Sequence, residues 1–263
     1  MNPALRTSAT GMMAQQLHVE VISNNIANMT TTGYKRRRAE FQDLLYQNQR
    51  RIGSSSSAEG TVVSAGVQLG LGVKTAAVYR IHEQGELINT ENSFDLAIQG
   101  DGYFVVELPN GDLAYTRSGN FQLSPDGELV TPDGYKISPG ITVPQDAISV
   151  SINQEGTVSA KIAGQVEEQE LGQLQLATFV NEAGLEAMGS NLLQETSASG
   201  EALGGPPGTE GLGTVLQGFL ESSNVNPVQE ITALIAAQRA YDMNSKVISA
   251  SDEMMTTVTQ LRG

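Results

Sequence analysis

Residues 227–261 read PVQEITALIAAQRAYDMNSKVISASDEMMTTVTQL, and no Gly or Pro interrupts positions 228–262. Asn226 stands where a helix N-cap belongs, and Pro227 suits a first helical turn because its missing N–H would have no partner there anyway. Leu234, Tyr241, Ile248 and Met255 recur every seven residues. Ala233, Ala240, Val247, Met254 and Leu261 repeat that interval one position earlier. A seven-residue interval holds side chains in one stripe along a helix. The spacing therefore predicts one long helix with two adjoining apolar rows, in which Ala236, Ala237, Ala240 and Ser245 leave room for a close neighbour.

The opposite end of the chain has the same texture. Leu5, Met12, Val19 and Ile26 recur every seven residues, with Ile22 and Met29 on the adjoining row. Asn24, Asn25 and Asn28, then Thr30 to Gly33, end the pattern, since Asn and Gly favour caps and turns. Between the two ends the period changes from helical to extended. Phe94–Ile98, Tyr103–Leu108 and Ile148–Ile152 alternate or cluster β-formers, and a second β section spans Leu171–Val180. Asn110-Gly111, Pro125-Asp126-Gly127, Pro132-Asp133-Gly134 and Glu155-Gly156 punctuate them with residues that accept the positive φ of tight turns. The echo of Ser124-Pro-Asp-Gly in Thr131-Pro-Asp-Gly marks two successive turns of an antiparallel meander. Residues 200–213, with Gly204-Gly-Pro-Pro-Gly208 inside, read as a loop or exposed turn and not a core element. Residues 47–73 allow two readings: Gly53–Ser57 has linker composition, while Thr61–Val63 and Val67–Leu69 suit an extended ribbon.

The expected fold is α+β. Residues 1–30 and 225–263 form a discontinuous α-helical coiled-coil domain, residues 31–80 an extended connector or β-ribbon, and residues 81–224 a mainly antiparallel β domain. A chain of 263 residues, 39% of them hydrophobic, supports one large or two modest domains. The longest aliphatic run, Ala233–Ala237, is five residues against the roughly 20 of a membrane-spanning helix, so no membrane insertion is expected. The first residues carry one charge, Arg6, and no apolar core behind it, so no cleavable secretory signal is expected. There is no cysteine, hence no disulfide, thiol nucleophile or thiolate metal site.

Charge is distributed unevenly around the net value of −14. Residues 1–51 hold seven Lys/Arg against three Asp/Glu, and residues 81–224 hold three against twenty-one. So acidic a middle repels phosphate backbones and excludes nucleic acid as its partner. Like charge and bound water would also make it a low-adhesion surface. The basic run Lys35–Arg38 reads as a solvated face.

Catalytic patterns are missing. His18 lies in the first helix as a stripe-edge residue. His82-Glu83 has the first half of a zinc-helix motif without its second histidine. Gly70-Leu-Gly-Val-Lys-Thr75 places Val73 where a phosphate loop needs glycine. No serine has glycine two residues away on both sides. Paired carboxylates of a cell-wall hydrolase are the remaining enzymatic alternative, and turns and solvated faces account for most of the acids. No cofactor, metal or catalytic residue is expected.

A heptad stripe wants a partner helix. Two such helices folded only on one another cover little surface, gaining just a few kcal/mol beyond their ordering cost. Packing against copies of the same chain buries the remaining faces. Leu5, Met12, Val19, Ile22, Ile26, Leu234, Tyr241, Val247, Ile248 and Met255 are the expected assembly residues. Contacts that do not close in a ring extend such a polymer into a helical tube.

Ile22-Ser-Asn-Asn-Ile-Ala-Asn28 with Thr32-Gly-Tyr-Lys35 resembles the N-terminal signature of the bacterial flagellar axial family of rod and hook proteins. Ile98–Val106 and Tyr115–Phe121 resemble its central module, and Asn224-Val-Asn-Pro-Val228 with Gln238-Arg-Ala-Tyr241 its C-terminal signature. Gly70–Thr75, Gln84–Thr90 and the overall length are most similar to the distal-rod branch. The resemblance marks Asn24, Asn25, Asn28, Gly33, Tyr34, Asn226, Pro227 and Arg239 as motif residues. It implies a homo-oligomeric helical tube in the basal body that crosses the periplasm to the outer membrane and carries torque from motor to hook. Its implied partners are proximal rod and hook proteins, the peptidoglycan and outer-membrane ring proteins, and the flagellar type III export apparatus. It also implies that residues 47–73 bridge neighbouring subunits. A proximal-rod subunit, or a secreted β-rich trimeric binding module, is the alternative.

Overall fold

The structure is a computed structural model that describes residues 3–50, 66–164, 167–209 and 211–260. The chain divides into two units. One contains residues 1–26, 37–79 and 226–263; the other contains 27–36 and 80–225.

The first unit is built on two helices, α1 (Pro3–Ala27) and α2 (Pro227–Gln260). The Asn226 side-chain oxygen accepts from the N–H groups of Val228 (3.1 Å) and Gln229 (3.3 Å), satisfying two of the donors that a helix start leaves open. Glu230, in the first turn, adds a negative charge at the positive end of the helix dipole. Two ribbons accompany the helices. Arg37–Asp43 pairs with Val73–Arg80, and Tyr46–Arg50 pairs antiparallel with Val67–Gly70. The extended reading of residues 47–73 therefore holds at both described ends, and Gly53–Ser57 lies outside the described residues.

The second unit is β-rich. Among the described residues its main sheet has nine strands. Seven run in the order Glu186–Gly189, Leu192–Gln194, Leu113–Thr116, Tyr103–Glu107, Lys136–Ile137, Leu129–Val130 and Gln122–Leu123. Leu176–Thr178 also pairs with Tyr103–Glu107, and Leu203–Gly205 adds to it in turn. That last strand corrects the loop reading at residues 203–205, which are exposed or half-buried and so outside the core. Its Gly-Gly sequence carries no β-former signal, and backbone pairing to Leu176–Thr178 supplies the order instead. The two Pro-Asp-Gly turns sit as expected: Gly127 N–H donates to Ser124 O, and Gly134 N–H to Thr131 O, each at 2.8 Å.

Tyr103–Glu107 has neighbours over both faces, which is why it reads as an unbroken apolar run. Phe104 enters a cluster with Leu96, Ile98, Phe121 and Leu129, meeting the Phe121 ring edge-on at 5.0 Å. Tyr103 and Val105 enter a second cluster, where Tyr115 and Phe179 stand edge-to-face at 4.8 Å. Two clusters back to back across one sheet give this unit a well-filled core despite an aromatic content of only 5%.

Candidate assembly faces and a buried ion triad

Within the helical unit, three points bring α1 and α2 together in antiparallel register. A Cβ added to Gly11 would lie 3.0 Å from the Asn244 side chain. Asn25 Nδ2 donates to Glu230 Oε2 at 3.1 Å. Between them Gln16, Val19, Glu20, Gln238, Tyr241 and Asp242 line one open groove. The buried positions of α2 are Glu230, Ala237 and Ser251, on the same heptad row as Asn244. Small and polar side chains thus occupy the covered face of the helix, and close approach replaces bulk. Asn25 is 1% exposed and acts like a piece of strand. Its Oδ1 accepts from Arg37 N–H (2.9 Å) and its Nδ2 donates to Arg37 O (2.8 Å), tying the end of α1 to the first ribbon.

The expected assembly residues are placed as follows. Ile22 is buried, and Leu5, Met12, Val19, Ile26, Leu234 and Ile248 are half-buried. Tyr241, Val247 and Met255 are exposed. Val228, Ile231, Ile235, Met243, Val247, Met254 and Val258 of α2 are 46–73% exposed. Val228 and Ile235 lie opposite the buried row, Ile231 and Met243 on its flanks, and Val247 and Met254 beside it, three residues beyond Asn244 and Ser251, while Val258 continues the row itself. Reading for apolar stripes misses Ser8, Ala14, Glu230 and Ser251, all buried, because the covered row is not apolar; Ala237, expected to leave room for a neighbour, is buried with them. The seven-residue interval from Glu230 through Ala237 and Asn244 to Ser251 was the available signal.

The motif residues do different work. Asn226 caps α2, Pro227 begins it, and Asn24 and Arg239 are exposed. Asn28 and Tyr34 shape the turn after α1: Thr31 N–H donates to Asn28 O at 3.2 Å, and Tyr34 N–H to Thr31 O at 3.3 Å. Gly33, at φ +68°, permits a close pass, since an added Cβ would stand 2.8 Å from the Arg117 backbone. Gly33 N–H donates to Glu221 O at 2.8 Å.

Glu221 leads to the electrostatic centre of the β-rich unit. Its carboxylate is 1% exposed and accepts from Lys35 Nζ (2.6 Å), Arg117 Nε (2.5 Å) and the Gly85 N–H (2.9 Å). Arg117 spends its other donors on Gly102 O, Ile98 O and Gly100 O, and Lys35 also reaches Glu83 O at 2.8 Å. Burial alone would raise the Glu221 carboxyl. Arg117 and Lys35, with the Gly85 N–H, outweigh that and hold it below the usual carboxylate range. Lys35 is 7% exposed, which corrects its reading as part of a solvated basic run; Arg38 remains exposed. A lysine at the edge of a basic run carries no mark of burial, because its partner is 186 residues away.

Next to the triad His82 Nδ1 lies 2.7 Å from Tyr103 OH and 3.4 Å from Glu182 Oε2. Burial pushes this histidine down to about 4, with Lys35, Arg80 and Arg117 adding to the shift. Glu182 and Tyr103 are both shifted up, chiefly by burial. Among the described residues no cluster of three His, Asp or Glu could hold a metal ion, and no helix is long and apolar enough to cross a membrane.

Asn25, Gly33 and Lys35 fall in residues 5–35, which match the family described as flagella basal body rod protein. Arg117 falls in residues 97–160, which match the flagellar hook protein FlgE/F/G D1 domain. Glu221 and Asn226 fall in residues 216–261, which match the flagellar basal body rod FlgEFG protein C-terminal family. The flagellar basal-body rod protein FlgG of Caulobacter vibrioides is 58% identical, over 98% of this chain and 99% of its own. The chain belongs to the flagellar basal-body rod protein family. FlgG of Buchnera aphidicola subsp. Schizaphis graminum is 48% identical over 99% of this chain and 100% of its own. FlgG of Bacillus subtilis is 40% identical over 98% of each. Membership makes this protein a structural subunit of the flagellar basal-body rod and sets the hydrolase alternative aside. The residues that join the triad are therefore architectural.

Proposed function

We propose that this rod subunit builds the distal rod, polymerising into a rigid helical tube that crosses the periplasm and transmits torque from motor to hook. In this reading residues 1–30 and 225–263 pair as a coiled coil and form the inner-tube assembly domain. Residues 31–80 are an extended connector, within which residues 47–73 bridge neighbours, and residues 81–224 form the outer domain. Proximal rod and hook proteins adjoin it at its ends, peptidoglycan and outer-membrane ring proteins surround it, and the type III export apparatus delivers it.

The observation that carries the reading is the exposed apolar surface of α2. A solvated helix has no use for Ile231, Ile235, Met243, Val247 and Met254 left open beside and beyond the covered row. Covering each half-exposed side chain is worth ~1 kcal/mol. Several such residues against each neighbour offset the cost of association. Torsional stiffness then follows from close packing, because a packed interface resists sliding as a protein interior does. The test is a chain truncated after Asn226. It should retain a folded β-rich unit by circular dichroism, fail to polymerise, and leave a strain lacking the native protein non-motile. Rods built from the truncated chain would overturn the proposal.

A further inference from the structure

The chain passes between its two units at four places, after residues 26, 36, 79 and 225. Within the β-rich unit, the segments that begin or end the last three of these passages meet at Asn224. Its side-chain Oδ1 accepts from Arg36 N–H at 2.7 Å, and its Nδ2 donates to Ile81 O at 2.9 Å and to Glu83 O at 3.0 Å. Asn224 N–H also donates to Tyr34 O at 3.4 Å, and Ile81 N–H to Arg36 O at 2.8 Å. The partners fix the orientation of the amide, since Arg36 offers an N–H while Ile81 and Glu83 offer carbonyls. Both amide hydrogens and one oxygen lone pair are thereby in use.

Residues 34–36, 81–86 and 222–225 belong to no helix or strand. No ladder sets their register, and their backbone polar groups need partners of another kind. Asn224 supplies three of those partners from one side chain. The ion triad reinforces the same spot: Lys35 Nζ donates to Glu83 O at 2.8 Å, and Glu221 O accepts from Gly33 N–H at 2.8 Å. Two of the passages lead into the paired strands Arg37–Asp43 and Val73–Arg80, and the third leads into the Asn226 cap of α2.

We infer that Asn224 is the coupling residue of this subunit, a clasp that holds three chain passages as one body so that torque is shared among them. This rests on the reading of the chain as a torque-carrying rod subunit, and it names the residue through which the β-rich unit takes up that torque. A single passage turns about its backbone φ and ψ, the two soft dihedrals of each residue. Three passages fixed to one another at their origin lose that freedom together. Aspartate at 224 would keep the bond from Arg36 N–H but turn a charged oxygen towards the Ile81 and Glu83 carbonyls. Alanine would leave all three backbone groups without this partner.

Rods assembled from the full chain and imaged by electron microscopy give the bending persistence length. Asn224→Ala rods should form but bend several-fold more easily than wild type, and Asn224→Asp should not restore the stiffness. Val158→Ala is the control, because it opens a cavity in the buried core of the same unit, in a cluster that includes none of the three segments. It should lower the melting temperature and yet leave rods as stiff as wild type, which separates coupling from mere stability. Hydrogen exchange tests the clasp in the wild-type chain without any variant: the Arg36 and Ile81 amides should be protected and open together. In Asn224→Ala the Arg36 amide should exchange about tenfold faster, the equivalent of one hydrogen bond. An unprotected Arg36 amide in wild type, stiff rods from Asn224→Ala or Asn224→Asp, or Val158→Ala rods that are equally soft would each overturn the clasp and leave the rod reading standing. Wild-type chain that forms no rods under any condition would instead overturn the reading on which it rests.

Discussion

Glu221→Ala removes one carboxylate and strands two buried cations. In the native unit that carboxylate is met by Lys35 Nζ, Arg117 Nε and the Gly85 N–H at 2.5–2.9 Å, with 1% of the residue exposed. Breaking a buried pair by deleting one partner costs about 3–5 kcal/mol, a large part of the ~5–15 kcal/mol that holds a domain folded. For a unit of this size each kcal/mol moves the melting temperature by ~2–4 °C, so the transition should fall by roughly 6–20 °C. Single substitutions at the partners should rank in order. Arg117→Met takes a donor from the carbonyls of Gly100, Gly102 and Ile98, of which Ile98 O keeps Gln84 Nε2, as well as breaking the ion pair, and should cost more than Lys35→Met. After Lys35→Met the carboxylate keeps both Arg117 and the Gly85 N–H. The assay is urea and thermal unfolding of the full chain below its polymerisation concentration, followed by near-ultraviolet circular dichroism of the tyrosines, since the chain has no Trp. A loss below about 1 kcal/mol for Glu221→Ala, the value of an exposed ion pair, or Lys35→Met costing more than Arg117→Met, would refute the triad as the centre of this unit.

His82 gives a pH signature: its folded-state pKa is pushed down to about 4 from an ordinary 6.5. Its contribution is therefore full above pH 6.5 and lost as pH falls towards 4, amounting to about 3 kcal/mol. The buried Glu182, shifted up, titrates with the opposite sign. His82→Asn should flatten the stability profile between pH 6.5 and 4, and an unchanged slope in unfolding curves would contradict this. Asn25→Ala deletes hydrogen bonds to both backbone groups of Arg37 and to Glu230. It should cost about 2–4 kcal/mol at the rate of one net contribution per bond plus the groups left unpaired, seen as faster amide exchange at the end of α1. Leu234→Asp, half-buried on α2, and Ile235→Asp, exposed beside it, should both block polymerisation while the β-rich unit keeps its circular dichroism spectrum. Rods of normal appearance from Ile235→Asp would remove the outer side of α2 from the interface.

Elements whose information is local were legible in the sequence. The start of α2 follows from Asn226-Pro227, its length from the absence of Gly and Pro, and the meander from two Pro-Asp-Gly turns. The end of α1 at Ala27 follows from Asn28 and the Thr30–Gly33 run after it. What escaped was decided by partners far away in the chain. Glu221 resembles any other acid in a segment of twenty-one, and only folding brings it to Lys35 and Arg117. The covered side of α2 escaped for another reason. It is lined by Glu230, Ala237, Asn244 and Ser251, so a search for apolar rows finds the two stripes that flank it, through Leu234 and Ile248 on one side and through Val247 and Met254 on the other. The same two helices thus hold more than one stripe, as expected of elements that pack against their own partner and against other copies. Motif resemblance identified Asn25 and Gly33 without their reasons, which geometry now supplies.

The most direct measurement is a helical reconstruction, by cryo-electron microscopy, of rods assembled from this chain. The account predicts α1 and α2 in the inner wall, with Ile231, Ile235, Met243, Val247 and Met254 buried against adjacent copies. A tube whose wall is made by the β-rich units, with those five side chains open to solvent, would contradict it.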